Sequence, residues 1–139
     1  MSSSQQTAVH TQRGTASELV RIGAATAAAV VVNLLILWAG SAAGASLEID
    51  APYDLNAAAV ALSTAMPMLA ASALVVLLAR RYPAARRWFA WAGAAFALLT
   101  AAMPFTVAED TATAVTLALM HLVAGTAWLT AIMPRPTTR

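Results

Sequence analysis

The chain has 139 residues, 60% of them hydrophobic, and only 14 charged side chains, 8 basic and 6 acidic. That is well under the roughly 25% charge of soluble domains, and a small domain has much surface to cover, so a soluble globule is excluded. Disorder is excluded as well, because disordered chains are charge-rich and apolar-poor. The absence of Cys removes disulfides, thiolate metal sites and thiol redox chemistry.

Taken in chain order, residues 1–20 open with Ser2-Ser3-Ser4-Gln5-Gln6 and read as a disordered cytoplasmic tail. Four uncharged windows follow: residues 22–47, 55–79, 88–108 and 111–134. Each exceeds the roughly 20 residues that cross a bilayer core as a helix, and none alternates like a membrane strand. The expected fold is an all-α, integral-membrane, up-down bundle of four transmembrane helices, at about 22–45, 55–80, 84–104 and 111–133. They make one domain over 21–135, with 136–139 as a short cytoplasmic C-terminus. The ends carry stop and start signals. Asp54 is a candidate N-cap for the second helix, and Pro83 suits the first turn of the third. Glu109-Asp110-Thr111 opens the fourth, and Pro104 and Pro134 stand where helices three and four should stop.

Charge sets the threading. Arg13 and Arg21 precede the first window; Arg80, Arg81, Arg86 and Arg87 join the second to the third; Arg135 and Arg139 end the chain. The other two connections hold Glu48, Asp50, Asp54, Glu109 and Asp110 and no Arg. By the positive-inside rule both termini are expected in the cytoplasm. Trp38, Tyr53, Tyr82, Trp88 and Trp128 lie near window ends, where aromatic belts form. With 37 Ala and no Lys, the composition suits a GC-rich bacterial genome and a multi-pass plasma-membrane protein. A competing reading makes the first window a cleavable signal peptide ending near Ala43-Gly44-Ala45; the length of the window favours retention.

Polar groups are costly in lipid and should face one another inside a bundle. Asn33, Pro67, Thr100 and His121 fall near the midplane of helices one to four and form a candidate polar site. Pro67 leaves the Ser63 carbonyl without its helical donor, to be supplied by Ser63, Thr64, Asn33 or His121. His121 is the one ionisable group deep in a window. It reads as interhelical glue bonded to a carbonyl or to Asn33, or else as a proton-carrying or ligand-binding imidazole. Gly40-Ser41-Ala42-Ala43-Gly44 matches a small-residue packing motif. Arg80, Arg81, Arg86 and Arg87 are candidate contacts for anionic lipid headgroups as well as topology determinants. No metal, haem or other cofactor is expected, since His10 lies in the tail and the acids sit in short connections. The dispersed Arg residues give no nucleic-acid patch.

The last window reads Thr111-Ala-Thr-Ala-Val-Thr-Leu-Ala-Leu-Met120-His121-Leu122-Val-Ala-Gly125. With four Ala-rich spans and the Arg-rich turn, it resembles an uncharacterised family of small actinobacterial membrane proteins, a domain of unknown function, over about residues 18–134. The resemblance implies a retained first helix and a four-span fold, and draws attention to Thr113, Thr116 and His121; it implies no activity, cofactor or substrate. No catalytic constellation is recognisable. The leading expectation is a non-catalytic, self-associating or accessory membrane subunit, partnered by the bilayer and by a second copy or a larger membrane protein. The alternative is a small transporter or channel-like protein using the midplane layer around His121.

Overall fold

The computed structural model describes residues 3–134. It is a helical bundle: α1 (Ser3–Ala42), α2 (Ala57–Arg81), α3 (Ala85–Thr100), the single turn α4 (Pro104–Val107) and α5 (Thr111–Ile132). Four segments are long and apolar enough to cross a membrane: Ala16–Ala42, Ala57–Arg81, Ala85–Val107 and Thr111–Ile132. The up-down four-span architecture read from the sequence is therefore the fold.

Several boundaries differ, each for a local reason. α1 begins at Ser3, so residues 3–20, expected as a disordered tail, continue its helical course. No Pro interrupts that stretch and Gly14 is its one glycine. Residues 1–2 and 135–139, including the expected C-terminal tail and its Arg135 and Arg139, lie outside the described residues. α1 ends at Ala42, short of the expected 45. Gly44 there adopts φ +92, donates to the Ser41 carbonyl (3.1 Å), and lets Ala45 donate to the Gly40 carbonyl (3.0 Å). That pair of bonds is a Schellman cap, which needs a left-handed residue at this position. The N-cap of α2 is Asn56, whose side chain accepts from the Ala59 amide at 3.0 Å, not Asp54. Pro83 lies in the turn before α3 rather than in its first helical turn. The third span breaks after Thr100 and resumes with Pro104 at the start of α4, because Pro cannot donate into the preceding turn.

Around the bundle the order is α2, α1, α5, α3, with a lighter α2–α3 contact closing the ring. α5 is the most buried span: 33% of its most apolar window is enclosed, against 11% for the third span. Between lipid-facing helices there is no hydrophobic drive, so packing depends on close approach by small residues. That is how the seams are built. α3 turns Ala90, Gly93, Ala94 and Ala97, spaced three and four apart, toward α5. A Cβ on Gly93 would strike the Trp128 indole, and one on Gly125 would come within 2.8 Å of the Ala97 Cβ. Gly40 of α1 lies against Thr116 of α5 in the same way. The Gly40–Gly44 pattern therefore resolves into one packing glycine and one capping glycine.

One apolar cluster, Ile22, Val75, Ala90, Trp128, Ala131 and Ile132, fills the Arg-rich end. A second, Leu37, Val60 and Met120, fills the half nearer the acidic connections.

Candidate functional site

The four midplane residues named from the sequence do not converge. Asn33 is 2% exposed and its Nδ2 donates to Thr64 Oγ1 at 3.0 Å, joining α1 to α2. Thr100 is the last residue of α3, and its hydroxyl donates back to the Phe96 and Ala97 carbonyls at 2.9 and 3.2 Å. Pro67 is exposed on the outer face of α2. His121 is half-buried, and its Nδ1 lies 2.8 Å from the Leu117 carbonyl one turn back in α5. This bond runs within α5 and makes no interhelical link. Nor does Pro67 draw its neighbours in as expected. The Ser63 hydroxyl donates to Val60 O at 3.3 Å and the Asn33 amide to Thr64, so neither serves the Ser63 carbonyl.

The polar groups the structure does gather form two other features. The first is the α1–α2 seam. Thr26, Asn33, Thr64 and Ser72 are all buried there or beside it. Their residue spacing alternates with Ala29 and Met68, which are also buried. Beyond the Asn33–Thr64 bond, Thr26 Oγ1, Asn33 Oδ1 and Ser72 Oγ have no hydrogen-bond partner among the described residues. Sequence reasoning found Asn33 but not its partner, because a Thr on an apolar helix gives no sign of which helix it faces.

The second feature is a clasp between the two acidic connections. Asp110 caps α5: its Oδ1 accepts the Thr113 amide at 2.9 Å. Its Oδ2 accepts the Ser46 hydroxyl at 2.6 Å, the Ser46 amide at 3.1 Å and the Thr113 hydroxyl at 2.5 Å. Those bonds, from Ser46 first and then Thr113, hold the Asp110 carboxyl far below the usual carboxylate range. Thr113 Oγ1 in turn accepts the Leu47 amide at 3.0 Å. Leu47 sits at φ 60, a left-handed conformation unfavourable for a branched side chain. It is held there by that bond and by packing against the Leu37–Val60–Met120 cluster. Beside it, Ile49 and Ala108 form an isolated antiparallel bridge. Asp50 N donates to Val107 O (2.8 Å), and Glu109 N to Glu48 O (3.1 Å). Asp110 is readable within the Glu109-Asp110-Thr111 start signal, but the hydroxyl it engages is that of Thr113 rather than Thr111. Its reach to Ser46 is not readable, because that contact spans 64 residues of sequence.

At the opposite end Arg86 pairs with Glu18, and Arg21 Nη1 donates to Met133 O at 3.0 Å. These contacts tie α3 and the end of α5 to α1. Arg80, Arg81 and Arg87 remain exposed. Among the described residues no group of three or more His, Cys, Asp or Glu side chains is placed to hold a metal ion. Trp128 Nε1 donates to Phe89 O at 2.9 Å, a further interhelical bond between α5 and α3.

The geometry is that of a packed helical membrane domain, and sequence comparison supplies its kinship. Residues 13–138 match the model of a family of unknown function, DUF6069. The chain belongs to that family. No curated protein and no solved structure matches it. Membership covers the four spans, the Asp110 clasp and the Arg-rich turn together.

Proposed function

We propose that this member of the family is a non-catalytic plasma-membrane subunit that works through its lateral surface, by pairing with a second copy or with a larger membrane protein. The observation that carries the reading is the contrast between the inside and the outside of the bundle. Inside, the long polar side chains bond from helix to helix: Asn33 to Thr64 and Trp128 to Phe89. Outside, the third span presents Trp88, Trp91, Phe96, Leu99 and Phe105 at 56–76% exposure, an aromatic-rich face on the least enclosed span. Aromatic side chains carry much contact area and are enriched where proteins meet. The Arg-rich end is taken as cytoplasmic by the positive-inside rule, with the Asp110 clasp on the opposite side. A transport pathway would need a wet route to His121, whose Nδ1 lies against the Leu117 carbonyl of its own helix.

The chain has no Cys, so single-Cys variants give a clean test. In native membranes, Trp91→Cys and Phe96→Cys should crosslink to a second copy or to a distinct partner. Leu35→Cys and Leu119→Cys, exposed on α1 and α5, should not. Equal crosslinking from all four positions, or none from any, would remove the association reading.

A further inference from the structure

A second surface at the Arg-rich end carries its own chemistry, and it holds whether the chain acts alone or in an assembly. Between α1 and α2 runs a groove of about 530 Å³. Leu19, Ile22 and Gly23 form one wall, and Ser72, Val76 and Arg80 lie along the other. It reaches from Leu69 to Arg80 along α2, about 16 Å at the rise of a helix. That matches one leaflet's share, about 15 Å, of a bilayer's hydrocarbon core. The groove is open beside Gly23, where a Cβ would meet nothing within 4 Å. The lining is apolar except for Ser72, whose buried hydroxyl has no partner among the described residues, and Arg80 at the mouth.

The charge at the mouth is unspent. Arg86 is taken by Glu18 and Arg21 bonds the Met133 carbonyl, whereas Arg80 is exposed with no acidic partner among the described residues. A guanidinium above an apolar slot complements an anion on an acyl chain: the fork matches phosphate oxygens and the slot offers the tail a groove to pack in. A water-soluble phosphate ester would find only the Ser72 hydroxyl in this lining for its polar parts. We propose that the α1–α2 groove holds one acyl chain of an anionic phospholipid whose phosphate is bound by Arg80.

The test is native mass spectrometry of the full chain in neutral detergent, titrated with dioleoyl-phosphatidylglycerol or dioleoyl-phosphatidylcholine. The wild-type chain should retain the anionic lipid about fivefold better, the worth of one charge at a membrane surface. Arg80→Gln should erase that preference, and Arg87→Gln, an exposed Arg outside the groove, should leave it intact. Gly23→Leu should lower retention of both lipids by filling the slot. Ala73→Leu, on the opposite wall, repeats that arm independently should Gly23→Leu disturb α1. Helical circular dichroism and a single elution peak establish that each variant is folded. Equal retention of the two lipids by the wild type would overturn the proposal. So would equal losses from Arg80→Gln and Arg87→Gln, or retention unchanged when the groove is filled from both walls.

Discussion

Asn33 and Asp110 show how differently a polar side chain behaves at two depths. Asn33 is buried among apolar helices and makes one bond, to Thr64, while its Oδ1 stays unpartnered. Interhelical bonds of this kind in membranes are worth about 0.6 to 2 kcal/mol, so Asn33→Ala should cost about 1 kcal/mol in a reversible unfolding assay in mixed micelles. Asp110 lies at the rim, where its carboxylate accepts bonds from Ser46 and Thr113. Its folded pKa is depressed, so its contribution is complete above the unfolded value of about 3.9 and is lost as pH falls below it. The melting temperature should therefore hold from pH 7 to about 5 and drop below about 4. Asp110→Asn keeps a capping oxygen but not the charge, so it should flatten that acid-side drop. An unchanged acid profile in Asp110→Asn would place the titration elsewhere. The glycines divide in the same physical terms. Gly44 occupies φ +92, and Gly44→Ala should destabilise by about 1 kcal/mol or more. Gly23 is helical with open space around it, so Gly23→Ala should stabilise by up to about 1 kcal/mol in the same assay.

At the scale of elements, the α3–α5 seam is the firmest contact α3 makes, and it rests on absent side chains. Gly93→Leu should drive the Trp128 indole off α3, break its bond to Phe89 O, and cost about 1–3 kcal/mol. The readouts are thermal unfolding and a red shift of Trp emission. The same seam marks what could be read from the chain. The four spans were legible because charges end where the apolar windows begin, and the start of α5 was legible because Glu109-Asp110-Thr111 is a local signal, although the hydroxyl that Asp110 engages is Thr113's. Pairing was not. Ala90, Gly93, Ala94 and Ala97 are spaced as a stripe, but in a chain with 37 Ala such stripes occur on several faces. The midplane layer misled for a related reason: depth along a helix says nothing about azimuth. Pro67 points outward, Thr100 and His121 bond their own helices, and only Asn33 crosses to a neighbour. The early end of α3 follows from Pro104, whose effect falls several residues upstream of the ring itself.

The whole molecule has two unlike ends and a thin middle. The Asp110 clasp and the Ile49–Ala108 bridge fasten one end; Arg86–Glu18 and Arg21–Met133 fasten the other. Between them the bundle holds by small-residue contact, which leaves the aromatic face of the third span outside. That face is the basis for the proposal that this protein associates laterally with a partner. The decisive measurement is the native mass of the protein extracted with its surrounding lipid in polymer nanodiscs from its own host membrane. A stoichiometric assembly heavier than the 14.3 kDa chain is expected, either a homodimer or a complex with a larger protein. That assembly should fall apart when Trp91 and Phe96 are both replaced by Ala. A monodisperse 14.3 kDa monomer carrying nothing but lipid would contradict it.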